Sequence, residues 1–447
     1  MNTGRRPKRN FLFLQGPPGP FFRLLGAELA HRRCGVHRIN LSGGDRYDWA
    51  PDGAGGVIDY RGRAKDWPLF FDAYVQDHAI TDVVLFGDCR PMHRSALRLA
   101  QLRGVHIHVF EEGYIRPDWM TLERDGVNGH SSFERDPEVL FAAARWLPEV
   151  PQLPAITATF RRRARDSFWH YFNVFIGKPR FPFYGTHRQG WLAAEALGWL
   201  LRFARTGRRA RQAEATMAAL KGQRYFLFPL QLSGDYQIRA HSPFASMPMA
   251  VDYVMRSFAR HAPDDVVLLI KEHPLDSGFL NWRRYIARRA RQLGVADRVM
   301  HIDGGNLGEL SARSAGMVCV NSTSGTLGLE VGSPVIVLGD AVYDVPGVTH
   351  QASLDSFWQA PEMPDQGLYK AFKKVLHARC LVRGGLASES AIHTLVANSV
   401  ERLLASTVPT LAASTKKITV SAHTGGAALP VASVEITCEP VVVTVKV

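Results

Sequence analysis

Cysteine is scarce in this chain of 447 residues, and its five cysteines are widely separated. No two of them form a CxxC pair, and an odd number of scattered cysteines argues against both a disulfide framework and a structural zinc site. A reducing compartment, the cytoplasm, is therefore expected. The cysteines are Cys34, Cys89, Cys319, Cys380 and Cys438.

Long apolar runs are also missing. A membrane-spanning helix needs ~18 or more apolar residues without charge, whereas the best candidate, 191–201, contains Glu195 and is followed by Arg202. The apolar run at 11–14 follows a basic segment, as in a signal peptide, but it is too short for one. We therefore predict a first β-strand at 11–14 and only peripheral contact with membranes.

Three common catalytic signatures are absent: the Walker A motif, HExxH and GxSxG. Their absence removes the simplest support for P-loop ATP hydrolysis, zinc proteolysis and esterase chemistry. DxD is absent as well, so the chain has no obvious dicarboxylate site for a divalent metal that neutralises a sugar diphosphate. A sugar donor with a single phosphate would need no such metal, and we expect none at the site.

Positive charge is abundant and unevenly distributed. Lys and Arg number 54 against 41 Asp and Glu, a net charge of +13, which predicts an anionic partner. Residues 161–211 hold twelve Lys and Arg against Asp166 and Glu195, a net of +10, with eleven aromatic residues interleaved. Such a segment is typical of a surface that meets lipid headgroups and acyl chains together. A solvated helical linker and a nucleic-acid surface are the alternatives.

Short apolar runs alternate with helical patterns from residue 11 to 110, and the same rhythm returns from 225 to 338. Repeated β-α-β units with buried parallel strands produce this pattern. The predicted fold class is α/β and GT-B-like, with two Rossmann-like doubly wound domains that face a central cleft. The predicted boundaries are 1–150 for the first domain, 151–220 for the basic aromatic insert, 221–405 for the second domain and 406–447 for a mobile tail.

Glu111 and Glu112 come directly after the predicted strand 105–110. Because the carboxyl ends of parallel strands face the cleft in such sheets, one carboxylate can act on a reacting carbon while the other orients a neighbour. A solvated acidic turn is the alternative. The position at a strand end favours the catalytic interpretation.

Two segments of the second predicted domain are suited to a phosphate. His273 follows the predicted strand 266–270, and Pro274 fixes the exit of the chain there. The segment 321–326 carries four hydroxyl side chains ahead of a predicted helix, where hydroxyls and free backbone N–H groups can hold one phosphate. A structural histidine and an ordinary helix cap are the alternatives.

Several short motifs follow one another in a fixed order. They are Phe13-Leu14-Gln15-Gly16-Pro17 with Gly19-Pro20-Phe21-Phe22, Gly43-Gly44-Asp45, Phe86-Gly87-Asp88-Cys89-Arg90-Pro91, Glu111-Glu112-Gly113-Tyr114-Ile115-Arg116-Pro117, Lys271-Glu272-His273-Pro274 and Asn321-Ser322-Thr323-Ser324-Gly325. Each is weak alone, but the ordered set is specific. It resembles the capsule polysaccharide biosynthesis and export proteins of KpsS and LipB type, a family of β-Kdo transferases.

The resemblance implies a role for each matching residue. Glu112 is the expected catalytic carboxylate, with Glu111 as the alternative. The donor, CMP-Kdo, is expected to contact His273, Pro274, Ser322, Thr323, Ser324, Gly325 and Thr326. Further substrate contacts are expected at Gln15, Gly16, Arg90, Arg116 and Lys271. No cofactor and no metal are expected.

The partners implied by the resemblance belong to capsule assembly. They are a lipid acceptor of lyso-phosphatidylglycerol type, the anionic inner-membrane surface, a second Kdo transferase and the capsule ABC exporter, without nucleic acid. The protein would be cytoplasmic and peripheral on the inner membrane. The expected reaction is retaining transfer of β-Kdo to start a poly-Kdo linker on the lipid. A nucleotide-sugar 2-epimerase-like enzyme and a non-catalytic export or interaction subunit remain alternatives.

Overall fold

The computed structural model describes residues 9–50, 53–185, 206–232, 236–274, 276 and 280–405. The predicted mobile tail at 406–447 and the middle of the basic insert, 186–205, lie outside these residues. Among the described residues, no helix is long and apolar enough to cross a membrane.

The first β-sheet has seven strands, drawn from both ends of the described chain. They are β1 (Asn10–Phe13), β2 (Gly35–Asn40), β3 (Gly56–Asp59), β4 (Asp82–Phe86), β5 (His106–Glu112), β6 (Trp119–Arg124) and β12 (Leu381–Arg383). The spatial order is β12-β6-β5-β4-β1-β2-β3. Strands β1 to β5 pair in parallel. β4 is buried along its whole length, as expected for a parallel strand covered on both faces.

Helices connect these parallel strands and continue into the basic insert. They are α1 (Phe21–His31), α2 (Gly43–Trp49), α3 (Trp67–Asp77), α4 (Pro91–Leu102), α5 (Pro137–Ala144) and α6 (Phe160–Ile176), with a 3-10 turn at Asn128–His130 between β6 and α5. Proline in the first turn of α3 and of α4 fits the start of a helix, where the missing N–H would have no helical partner.

The second β-sheet has five strands in the order β11-β10-β7-β8-β9, all parallel. The strands are β7 (Arg224–Pro229), β8 (Val266–Lys271), β9 (Val299–Ile302), β10 (Gly316–Cys319) and β11 (Val335–Val337). The helices of this part are α7 (Thr206–Ala219), α8 (Tyr236–Ala240), α9 (Met247–His261), α10 (Trp282–Gln292), α11 (Leu307–Ala312), α12 (Ser324–Glu330), α13 (Leu354–Phe357), α14 (Gln366–Arg379) and α15 (Glu389–Leu404). The predicted α/β class with two Rossmann-like sheets is confirmed.

The last described segment returns to the first sheet, although the predicted domain boundaries place it with the second. β12 pairs antiparallel with β6, and α15 packs on α1. The reason is burial: Leu395 of α15 joins the core that contains Phe21 and Leu25, and burying each such apolar side chain contributes ~1.5–3 kcal/mol. The chain therefore ties the two sheets together at both ends of the second one.

The Gly43-Gly44-Asp45 motif has a structural role. Side chains at Gly43 and Gly44 would collide with the backbone carbonyl of Asn173 and with His170, so the two glycines allow α2 and α6 to pack closely. Asp45 accepts hydrogen bonds from the Leu41 N–H, the Ser42 hydroxyl and the Gln15 amide. The motif thus packs the second half of α6, in the basic insert, against α2 of the first sheet.

Candidate functional site

The two predicted catalytic carboxylates lie at the carboxyl end of β5. β4 ends beside β5, with Phe86 opposite Phe110, so the loop that begins at Gly87 faces Glu111. Oε1 of Glu111 accepts the Glu112 N–H at 2.9 Å. Oε2 of Glu111 is 3.3 Å from the position that a Cβ on Gly87 would take. Glu111 is thus held against the backbone, and Glu112 points elsewhere.

Glu112 has a partner that the sequence analysis missed. Nη2 of Arg163, on α6, donates to Oε1 of Glu112 at 2.6 Å, and each side chain is 34% exposed. Sequence reasoning assigned Arg163 to a basic surface for lipid, because a count of charges does not reveal which anion a cation will meet. Asp166 lies four residues after Arg162 on α6, and its Oδ2 accepts a hydrogen bond from Nε of Arg162 at 2.7 Å. Arg162 is therefore also paired within the protein.

Tyr114 links this strand end to β6 and to the 3-10 turn that follows β6. Its hydroxyl donates to Oε1 of Glu123 at 2.6 Å and accepts the Asn128 N–H, also at 2.6 Å. Burial and the nearby Glu123 carboxylate raise the pKa of Tyr114 well above its ordinary value. The carbonyl oxygen of Tyr114 lies 3.5 Å from Oγ1 of Thr326, in α12 of the second sheet. The acidic motif and the Ser/Thr segment therefore meet across the two sheets.

The Ser/Thr segment is ordered by its own hydroxyls. Oγ of Ser322 accepts the Ser324 N–H at 3.1 Å and donates to Oγ of Ser324 at 2.9 Å. Thr326 donates to the carbonyl of Thr323 at 2.8 Å, and Gly325 packs against Tyr343 so closely that no side chain would fit. Ser322 thus orders the first turn of α12, whose N-cap residue, Thr323, makes no side-chain cap hydrogen bond.

Lys271 and Glu272, at the end of β8, are buried, whereas His273 is half-buried and Pro274 is exposed. Glu272 lies 3.2 Å from Nε2 of His301 and 3.3 Å from Nη2 of Arg209, on α7. Arg209 also pairs with Asp303, beside a cavity of about 430 Å³ between α7 and the loop 303–305. Both described arms of the basic insert therefore carry an arginine to a predicted site motif.

The remaining predicted substrate contacts are Gln15, Gly16, Arg90 and Arg116. Gln15 is only 3% exposed, and its amide donates to Asp45 and to the Tyr184 hydroxyl at 3.1 and 2.8 Å, so it is occupied within the protein. Arg90 lies 3.4 Å from the carbonyl of Gly16, which brings these two predicted residues together. Arg116 is exposed, and its Nε is 3.4 Å from the Gly113 carbonyl.

Comparison with known proteins identifies relatives over most of the chain. The family described as "Capsule polysaccharide biosynthesis protein" matches residues 81–386. The chain is 32% identical to the capsule polysaccharide export protein KpsS of Escherichia coli over 373 residues, 82% of this chain and 94% of KpsS. It is 35% identical to the capsule polysaccharide modification protein LipB of Neisseria meningitidis serogroup B over 377 residues, 81% of this chain and 88% of LipB.

A solved structure from Thermosulfurimonas dismutans, KpsC, described as a beta Kdo 2,7 transferase, is 13% identical and has a TM-score of 0.42. The alignment covers 86% of this chain and 98% of that one. The extent of the family match and the identity with KpsS and LipB agree with the ordered motifs of the sequence. The chain therefore belongs to the capsule polysaccharide biosynthesis protein family.

Proposed function

We propose that this protein is a retaining glycosyltransferase that moves β-Kdo from CMP-Kdo to a lipid of lyso-phosphatidylglycerol type in capsule assembly. The observation that carries the proposal is the contact between the acidic motif of the first sheet and the Ser/Thr segment of the second, through Tyr114 and Thr326. Membership of the capsule polysaccharide biosynthesis protein family supports the place of this reaction in capsule assembly.

Glycosyl transfer places opposite charges at two points, and this arrangement has a group for each. Positive charge develops at the anomeric carbon, where the Glu112 carboxylate would stabilise it or bond to it. Negative charge develops on the departing phosphate, where Ser324 and His273 would donate hydrogen bonds. CMP has a single phosphate, so the leaving group carries less charge than a diphosphate and the protein donors suffice without a metal.

Arg163 gives Glu112 a defined orientation. A carboxylate next to Glu111 and near an anionic donor is electrostatically unfavourable unless a cation lies beside it. Arg163 supplies that cation and holds one oxygen of Glu112, which leaves the other oxygen for the sugar. The arginine is therefore a positioning residue in this proposal.

The exposed face of α6 supports peripheral docking on an anionic membrane. Phe168, Trp169, Phe172 and Phe175 are 62%, 42%, 43% and 70% exposed, and their spacing places them on one side of the helix. Arg165 next to them is 60% exposed. An aromatic face flanked by cations fits the boundary between headgroups and acyl chains. This docking would bring a lipid acceptor to the site, because the same helix carries Arg163 to Glu112.

One assay tests the proposed reaction. The protein is incubated with CMP-Kdo and a fluorescent lyso-phosphatidylglycerol, and the lipid is examined by mass spectrometry for added Kdo. The reaction should need no added Mg²⁺ when CMP-Kdo is supplied preformed. Inhibition by EDTA that Mg²⁺ reverses would contradict the metal-independent step. Absence of both product and CMP binding would favour a non-catalytic export subunit.

A further inference from the structure

Four side chains with metal-binding atoms meet where the two sheets approach each other. Asp88 and Cys89 lie in the loop after β4, His130 is in the 3-10 turn, and His241 follows α8. Their candidate ligand atoms all lie within 4.8 Å of one another. Three of the residues come from the first sheet and its loops, whereas His241 comes from the second. None of the four is assigned a role in the proposed transfer.

The contacts within this cluster are already close to those of a coordination shell. Sγ of Cys89 is 3.2 Å from Nε2 of His241, and Oδ2 of Asp88 is 3.0 Å from Nδ1 of His130. The two imidazole rings meet edge to face, with centroids 4.7 Å apart. A side chain at Gly129 would collide with the His241 ring, so the glycine permits this close approach.

One polar atom of the cluster lacks a partner. Asp88 is 2% exposed; its Oδ2 accepts the Val127 N–H at 3.1 Å, but its Oδ1 is buried with no hydrogen bond among the described residues. A buried polar group left unsatisfied costs ~1–3 kcal/mol, and more if it is charged. A cation between the four side chains would remove that cost. The 55% exposed side chain of His130 leaves a route for the ion to enter.

We propose that Asp88, Cys89, His130 and His241 bind one Zn²⁺ ion. One sulfur, two imidazole nitrogens and a carboxylate oxygen form a donor set that zinc favours, with tetrahedral bonds of ~2.0–2.3 Å that separate the ligands by ~3.3–3.8 Å. The observed separations reach this geometry by small side-chain movements. On binding, the Cys89 thiol gives its proton to solvent and the thiolate bonds to the metal.

Such an ion would join the two sheets beside the acidic motif. On the first sheet, Gly87 is next to Asp88 and faces Glu111. On the second, the carbonyl of His241 accepts a hydrogen bond from the side chain of Asn321, the first residue of the segment 321–326. The zinc would thus fix the spacing between the two halves of the proposed site without touching the donor. The sequence analysis argued against a zinc site because the chain has no CxxC pair. The structure assembles this cluster differently, since each part of the chain supplies only one or two of the ligands.

The test measures metal directly. Protein purified after growth with zinc is expected to contain stoichiometric Zn²⁺ by mass spectrometry, and reconstitution with Co²⁺ should give thiolate-to-cobalt charge-transfer absorption. Cys89→Ser and His241→Asn should lose the tight zinc, and Cys89→Ser should lose that absorption. Cys34→Ser, a change at a free cysteine outside the cluster, is the matched control and should behave as wild type.

Stability provides the second readout. Removal of zinc should lower the thermal unfolding midpoint of the wild type, and added Zn²⁺ but not Mg²⁺ should restore it. His130→Asn changes an exposed ligand, so it should fold and still bind zinc more weakly. Wild-type protein without bound zinc, or zinc and cobalt signals that are equal in wild type and Cys89→Ser, would overturn the proposal whatever the outcome of the transfer assay.

Discussion

Arg163 and Glu112 are 51 positions apart in the sequence, and Nη2 of the arginine lies 2.6 Å from Oε1 of the glutamate. The pair joins the first helix of the basic insert to the acidic motif. Arg209 makes the corresponding link from α7 to Glu272, at 3.3 Å. The insert therefore does more than present positive charge to solvent: Arg163 and Arg209 hold site motifs, whereas Arg165 is 60% exposed.

Glu112→Gln should reduce transfer by ~100-fold or more while CMP affinity stays near wild type, because the carboxylate acts on charge that develops only in the transition state. Glu111→Gln should cost less, since Glu111 is bonded to backbone. Turnover is measured with CMP-Kdo and CMP affinity by titration. Glu138→Gln, on the exposed side of α5, serves as the control. Wild-type turnover in Glu112→Gln would show that the mechanism is wrong.

Arg163→Gln should lower kcat by about fivefold with little change in KM for CMP-Kdo, because a partly exposed ion pair contributes ~1 kcal/mol or less. Arg163→Lys should recover part of the rate, since it restores the charge without the planar fork. The neighbouring exposed Arg161→Gln is the control. An equal effect of the Arg161 and Arg163 changes on a soluble acceptor would contradict a positioning role.

His273→Ala and Ser324→Ala should weaken CMP binding, each by about 1–3 kcal/mol if a charge-assisted hydrogen bond to the phosphate is lost. Calorimetric titration with CMP measures the change, and cytidine without phosphate should bind all forms alike. Ser390→Ala, at the exposed start of α15, is the control. Undiminished CMP affinity in both site variants would remove the phosphate assignment.

Phe168→Ser combined with Phe175→Ser should reduce sedimentation with anionic liposomes, and so should Arg161→Gln combined with Arg165→Gln. Raised salt should mimic the arginine changes by screening. Transfer to a short-chain soluble acceptor should remain near wild type in both variants. Trp146→Ser removes an aromatic that is 89% exposed outside α6 and should leave vesicle binding unchanged. Equal vesicle binding by all forms at low salt would mean that α6 is an ordinary linker helix.

Stability should fall on acidification, partly through His377. Burial and the charge of Lys373 lower its pKa from 6.5 to about 4. Between these values the unfolded chain binds a proton that the folded chain does not, so the free energy of unfolding decreases as pH falls. His377→Gln should lessen the drop in thermal midpoint between about pH 7 and pH 5. Exposed His393→Gln should keep the wild-type dependence, and an unchanged slope in His377→Gln would contradict the assignment.

Much of the architecture follows from local pattern. Apolar runs such as 83–86 and 267–270 are long enough only for strands, and their alternation with amphipathic segments requires parallel pairing. The acidic pair at the end of β5 and the hydroxyls ahead of α12 were visible because strand ends and helix starts leave signatures in neighbouring residues. The family was visible because its motifs occur in a fixed order.

The sequence by itself thus determined the two parallel sheets and the motifs at the ends of their strands, because hydrophobic period and helix-start chemistry depend on nearby residues. Tertiary structure alone decided that β12 and α15 return to the first sheet, that Arg163 meets Glu112, and that His241 reaches Cys89 across 152 positions. Composition reports the charge or donor type of a side chain, but its partner depends on which distant segments pack together. Packing makes that choice, because an arginine can form a bidentate ion pair with a lipid phosphate as well as with a carboxylate of the protein.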